Sequence, residues 1–245
     1  MNHQQYIELL EDRFPTFSSF SIHLQEILRN RDQRTADYSR LGSDYPIAGV
    51  LMALTLPHQI IDDNTSPIPH LHLIYEKRAE TMKNHPGDIA FPGGTMERVD
   101  KDPKEAAYRE AYEEVGIDPS ALEFVSYLDE FVSSSRILVN PVVAWLPEDL
   151  TLLNFGHLVT EKYYPKTKES SATVVMPLAH LLNPNHYRHQ PYRRAGKHVG
   201  WVRYFDTGEI RKRDHIWGLT ASMTRRFLDE IFPDNPLPEE PIPLN

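Results

Sequence analysis

A chain of 245 residues with 40% hydrophobic and 25% charged content has the make-up of an ordinary globular protein, long enough for one large domain with an addition. Its formal net charge of −9 argues against a general nucleic-acid or anionic-membrane surface, since both ask for a basic footprint. The absence of cysteine excludes disulfides, thiolate metal sites and cysteine nucleophiles and fits a cytoplasmic location, and with no apolar signal core and no run of about 18 apolar residues neither secretion nor membrane spanning is expected.

Residues 1–43 read as a helical extension of two short amphipathic helices broken at Pro15, the second carrying Ile22, Leu24, Ile27 and Leu28. From Ile47 the pattern changes to IAGVLMALTL, a buried apolar strand. A polar loop with Pro57, Pro67 and Pro69 leads to HLHLIYE, whose alternation predicts a strand with His70 and His72 on one face. These histidines suit a structural role better than a metal, because no third ligand of the right kind is near. Residues 91–117, FPGGTMERVDKDPKEAAYREAYEEVGI, open on a Pro-Gly-Gly turn and continue as a helix. Asp102 is its N-cap, Pro103 its first position, Glu105 completes a capping box and Gly116 is the stop.

Further strand candidates are EFVSYLDEFV, ILVNPVVAWLP and SATVVMPL. The last strong helix begins near Gly218 and runs to Phe232, with Leu219, Met223, Phe227 and Ile231 four apart; the proline-rich residues 235–245 are expected to form a mobile tail. Strands and helices mix as in an α+β protein, an α/β/α sandwich over residues 44–234.

The helix poses a problem of charge. Glu110 neighbours both Glu113 and Glu114 at helical spacing, and like charges there cost a few tenths of a kcal/mol per pair. Arg109 reaches Glu113 at i+4 and offsets only part of this. A hard divalent cation turns the repulsion into an asset, because Mg²⁺ takes oxygen ligands and keeps waters or substrate phosphates in its remaining positions.

The stretch from Gly94 to Ile117 resembles the Nudix box, with Arg109, Glu110, Glu113, Glu114 and Gly116 on its fixed positions. One position departs: Lys101 stands where the box has a glutamate, flanked by Asp100 and Asp102, and the glycine-to-arginine interval is one residue longer. That longer interval resembles the coenzyme A diphosphatase branch of the family. So does the upstream run KRAETMKNHPGDIAFPGG, in which Lys77, Arg78 and Ala79 are followed at four-residue steps by Lys83, Gly87 and Phe91. VNPVVAWL, VVMPLAHLL and IWGLTA extend the likeness over roughly residues 45–232.

The resemblance implies a Nudix fold, a mixed sheet flanked by helices, and cleavage of coenzyme A or its thioesters with Mg²⁺ or Mn²⁺. It implies Glu110, Glu114, Glu113 and the Gly93 carbonyl as metal ligands, and Gly93 and Gly94 as the backbone that approaches phosphate. Arg109 is then an orienter of Glu113, while Arg78 and Lys83 bind substrate phosphates, including the 3′-phosphate. Glu169, eight residues before Pro177, serves the metal or the attacking water, with Glu113 the other catalytic carboxylate. Trp217 packs the last helix onto the core or, alternatively, stacks on the adenine. The partner expected is a nucleotide-like small molecule, with no nucleic acid and no membrane, and the resemblance is compatible with a homodimer. Two other readings stand beside it: hydrolysis of another nucleotide such as ADP-ribose, and a Nudix-fold module that senses a nucleotide without turnover.

Overall fold

The computed structural model describes residues 2–30, 44–56, 61, 64–147, 168–194, 197–207 and 215–239. Residues 31–43, Pro57 and the end of the chain from 240 lie outside the described residues. Two helices open the chain, α1 (His3–Arg13) and α2 (Phe17–Asn30), broken by Pro15. Then come β1 (Ile47–Thr55), β2 (His72–Arg78), β3 (Ile89–Ala90), β4 (Gly93–Thr95) and helix α3 (Pro103–Val115). After it follow β5 (Glu123–Tyr127), β6 (Phe131–Val132), β7 (Leu138–Leu146), β8 (Ser170–Pro177) and the short α4 (Leu178–Leu181). The hairpin β9 (Tyr187–Arg194) and β10 (Lys197–Asp206), then β11 (His215–Trp217) and α5 (Gly218–Ile231), complete the set.

The sheet runs β5-β7-β1-β2-β3-β11-β10-β9, with β4 on β1, β6 on β7 and β8 on β2. It is mixed, since β1/β7 and β3/β11 are parallel and the other pairs antiparallel. Alternate side chains of each central strand feed two cores. Met52, Leu54, Leu73, Tyr75, Val143 and Trp145 face α1, α2 and α5, whereas Leu51, Ala53, Ile74, Val142, Ala144 and Val175 face α3. The architecture is therefore the α/β/α layering of an α+β protein, as the sequence predicts. No described helix is long and apolar enough to cross a membrane.

Several elements differ from their sequence expectation for local reasons. HLHLIYE does not alternate: His70 ends a 3-10 turn, the strand starts at His72, and every residue from His72 to Glu76 is buried because the strand has cover on both faces. EFVSYLDEFV is two strands. The gap between β5 and β6 lies opposite Asn140 and Pro141, and proline has no N–H to give the ladder, so Pro141 only accepts, from Leu128 N–H at 2.9 Å. The β9–β10 hairpin is an element the sequence reading does not name. The expected tail is anchored at its start: Leu237 is buried, Asn235 bonds Asp229, and Arg225 bonds the Pro238 carbonyl at 2.9 Å.

What positions the site is the seam between β1 and α3. The helix turns small residues, Ala106, Ala107 and Ala111, towards the sheet. A Cβ on Gly49 of β1 would lie 1.8 Å from the Pro103 carbonyl oxygen, so only glycine lets the first turn of α3 sit this close. On the same strand Gly49 and Val50 pair with Gly94 and Gly93 of β4. The glycine turn and the acidic helix thus meet on one strand.

Candidate active site

Helix α3 is capped much as its sequence predicts. Asp102 Oδ1 accepts the Glu105 N–H at 2.9 Å, and Gly116, left-handed at φ 76°, closes the other end. The capping box is not reciprocal: Glu105 accepts the N–H of Lys101, at 2.9 Å, instead of that of Asp102. Lys101 is exposed and its ammonium lies 3.4 Å from Glu105.

Three glutamates of α3 point differently. Glu114 is buried and its Oε2 accepts the Gly93 N–H at 2.9 Å. Glu110 is half-buried and its Oε1 accepts from Arg109 Nη1 at 2.9 Å. Glu113 sits at the exposed rim of the helix, its carboxylate 3.6 Å from Arg109. The orienting role expected of Arg109 is therefore directed elsewhere. Its main grip is on Asp100, with Nε at 3.2 Å and Nη2 at 3.0 Å, and on Glu110; Glu113 comes third because its rotamer faces solvent. Asp100, which the sequence leaves without an assigned role, is the residue that holds the arginine, and this guanidinium beside it keeps its carboxyl below the usual range.

A fourth carboxylate was missed by sequence reasoning. Glu76 of β2 points to the α3 side, is almost wholly buried, accepts from the Ser170 hydroxyl, and pairs with Arg78 at 3.2 Å. Its only sequence signal is an acid ending an otherwise apolar strand, HLIYE. Burial is the first reason its carboxyl is raised, and the Glu169 charge adds to it. Glu114 is pushed up to about 9 by burial and then by the charge of Glu76, against the pull of the Gly93 N–H. Glu110 is raised by burial, with Arg109 opposing and Glu113 and Glu169 adding. Glu169 itself is exposed just before β8, where its carbonyl accepts the Ala79 N–H at 2.6 Å.

These acids share one field that burial makes costly to ionise, which is the condition a hard cation relieves. Among the described residues no three carboxylates or imidazoles converge on a common point. The donor set is an open one, fitting an ion that keeps waters or substrate oxygens in most of its positions. The glycines let a carboxylate and a neighbouring strand approach: a Cβ on Gly94 would lie 2.3 Å from Glu110 Oε1, and one on Gly93 2.4 Å from the Gly49 carbonyl oxygen.

The basic candidates separate. Arg78, at the end of β2, stands against Glu76, and its Nε is buried without a hydrogen-bond partner. Lys83 is exposed on the turn between β2 and β3. His72 is buried, its Nδ1–H bonded to the His70 carbonyl at 2.7 Å, and burial pulls its pKa down to about 4, which keeps it neutral. Trp217 does not pack α5 onto the core. It is 38% exposed, because Ile216 is the residue of β11 that turns inwards.

Residues 70–199 match the NUDIX domain family. The chain is similar to a protein of Enterobacter sp. (strain 638) described as an uncharacterized Nudix hydrolase NudL, 32% identical over 160 residues that cover 65% of this chain and 74% of the relative. The protein of the same description from Escherichia coli (strain K12) is 33% identical over 164 residues, covering 66% of this chain and 77% of its own. Among solved structures, a Nudix hydrolase from M. smegmatis, RenU, superposes with a TM-score of 0.37 at 18% identity, over 55% of this chain and 80% of that one.

Proposed function

The chain belongs to the Nudix hydrolase family, and from that premise we propose that it hydrolyses the diphosphate of coenzyme A or its thioesters. Water adds to one phosphorus, the bond from that phosphorus to the bridging oxygen breaks, and the products are adenosine 3′,5′-bisphosphate and 4′-phosphopantetheine or its acyl form. Glu110 and Glu114, joined by Glu113 and the Gly93 carbonyl, are the residues that would hold Mg²⁺ or Mn²⁺, ions that hydrolases of this family generally need. When bound, the ion supplies positive charge against the diphosphate oxygens.

The chain's own side chains do the rest. Glu169 takes the proton of the attacking water, with Glu113 the second candidate for that step. Arg109 acts as a positioning residue, fixing Glu110 from its anchor on Asp100. Gly93 and Gly94 let the backbone approach a phosphate closely, and Arg78 and Lys83 bind phosphate oxygens.

The observation that carries the coenzyme A reading is Arg78. It directly precedes Ala79, from which Lys83, Gly87 and Phe91 follow at four-residue steps, it stands 3.2 Å from a carboxylate of the cluster, and it keeps one buried donor unspent. A buried guanidinium N–H without a partner is costly, and a phosphate oxygen would satisfy it. The test is a panel of coenzyme A, an acyl-coenzyme A, dephospho-coenzyme A, ADP-ribose and a dinucleoside polyphosphate with Mg²⁺ or Mn²⁺, read by mass spectrometry. Adenosine 3′,5′-bisphosphate released faster than any other product is the result expected. Equal or faster turnover of ADP-ribose would overturn the substrate assignment.

A further inference from the structure

The register of the sheet sets five side chains in one line. Glu76 of β2 pairs with Ala90 of β3. In the parallel pair that follows, Ile216 of β11 is level with Ile89, so Trp217 is level with Ala90. Tyr204 of β10 pairs with Trp217, and Arg188 of β9 pairs with Tyr204. Side chains directly opposite on neighbouring strands share a face. The row Glu76–Ala90–Trp217–Tyr204–Arg188 therefore lies on the α3 side of the sheet, whereas their neighbours Ile89, Ile216, Phe205 and Tyr187 enter the opposite core.

The helix that covers this face over β1 covers the Glu76 end of the row and has its main packing away from the Trp217–Arg188 end. α3 packs on β1, β4, β7 and β8, and α5 packs on β10 and β11 from the other side. The rings are already ordered: Trp217 and Tyr204 lie at 6.5 Å between centroids and 13° between planes, and the Arg188 guanidinium sits 4.2 Å from the Tyr204 ring centre. The shelf is joined to the carboxylates by more than the strand row. His85 lies 6.1 Å from Trp217 and bonds Asp88 at 2.8 Å, and the Asp88 carbonyl accepts the Arg78 N–H at 2.9 Å.

We propose that this shelf seats the purine base of the substrate, stacked on Trp217 and Tyr204, with the sugar over Ala90 and the diphosphate at Glu76 and Arg78. The proposal rests on the reading of the chain as a hydrolase of a nucleoside diphosphate derivative and names what recognises its base. Two strand spacings, roughly 10 Å, separate Glu76 from Trp217, a distance on the scale of the sugar and phosphate between a base and a diphosphate. Ala90 between them is the smallest side chain in the row and leaves that passage open. Aromatic faces bind any base by stacking, and the arginine at the end of the row adds a cation that a neutral apolar partner would leave unused. The strongest rival occupant, the pantetheine arm, is neutral and has no aromatic ring, so it gains less from either.

The experiment is calorimetric titration of the full chain with adenosine 3′,5′-bisphosphate and, separately, with 4′-phosphopantetheine. Trp217→Ala should weaken the adenosine ligand about tenfold or more and leave phosphopantetheine unchanged, and Trp217→Phe should restore most of the loss. Equal weakening of both ligands, or an adenosine ligand indifferent to Trp217→Ala while the wild type still hydrolyses coenzyme A, would overturn the shelf and leave the enzymatic reading standing. A wild type that neither binds adenosine 3′,5′-bisphosphate nor hydrolyses any of the panel would overturn both.

Discussion

Arg109 and Asp100 are locked together by two hydrogen bonds, Nε to Oδ1 at 3.2 Å and Nη2 to Oδ2 at 3.0 Å, across the loop that feeds α3. The third guanidinium nitrogen is left to hold Glu110 at 2.9 Å, so the loop sets the direction of a helix carboxylate through one arginine. Asp100→Asn should therefore lower kcat more than it raises KM for coenzyme A. Bonds to a charged partner contribute roughly 1.5–3 kcal/mol, and a loss of about ten- to a hundredfold in kcat/KM is expected. Lys101→Ala, one residue on and exposed, should change neither constant by more than about twofold. An Asp100→Asn enzyme with full activity would remove Arg109 from the machinery.

Replacement of Glu114 by Gln should abolish most turnover while leaving the metal-free melting temperature equal or higher. The fold favours the proton on this carboxyl, whose pKa rises from 4.5 to about 9. A group raised in the folded state stabilises it below the unfolded value and loses that stabilisation as pH climbs through the folded value. Metal-free wild type should accordingly melt at lower temperature as pH rises from about 7 to 9, with Glu76 and Glu110 acting in the same sense. His72, lowered from 6.5 to about 4, works the other way between those two values, so the decline is cleanest above 6.5. Calorimetric scans at stepped pH decide the matter: a wild-type profile that is flat or rising above neutrality would refute the buried-acid account, and a Glu114→Gln profile as steep as wild type would place its cause elsewhere.

Adding Mg²⁺ or Mn²⁺ to the apo chain should raise the melting temperature, because an ion that binds only the folded state stabilises it by mass action, about 2.7 kcal/mol at a hundred times Kd. In Glu110→Ala the rise should vanish. Thermal shift against metal concentration reads this directly, and a response indifferent to Glu110 would put the ion at another site.

Lys83→Ala should penalise coenzyme A more than dephospho-coenzyme A, the two substrates differing only in the 3′-phosphate, whereas Arg78→Ala, beside the diphosphate they share, should penalise both. Lys83 is exposed on the turn between β2 and β3, so the selectivity should show there. Arg78, which also compensates a buried carboxylate, should cost both substrates something through Glu76. Paired kcat/KM values for the two substrates measure the split, and equal losses for Lys83→Ala would deprive it of the 3′-phosphate role.

What the sequence disclosed and what it concealed divide along local and non-local lines. The ends of α3 were legible because a cap acts on residues three or four away, and so was the glutamate spacing. Glu76 was not, since an acid closing an apolar strand has the same look whether it faces water or a helix; only the packing of α3 across β2 makes it a neighbour of Glu114. The break between β5 and β6 was hidden for a similar reason, because its cause, Pro141, belongs to the partner strand. For Trp217 the sequence offers core packing or stacking on the adenine, and the pleat gives the interior to Ile216 and leaves the indole outside. The basic-aromatic strands β9 and β10 offered no alternation of apolar and polar residues by which a strand is usually recognised.

The packing of α1 and α2 bears on how the chain is made. Phe14 and Phe20 close against Phe232, with ring centres at 6.5 and 6.1 Å, and the Tyr6 hydroxyl bonds Asp234 from 228 residues away. A ribosome delivers α1 and α2 long before α5, so although residues 68–70, β5 and Trp145 can cover part of them early, the cover from Phe232 and Asp234 arrives late. Contacts so distant in sequence close slowly and leave apolar surface open to aggregation meanwhile. Nascent chains stalled before residue 218 should be cut by a protease near Phe14 and Phe20, and released full-length chains should not; protection in the stalled chains would mean that the N-terminal helices find cover without α5.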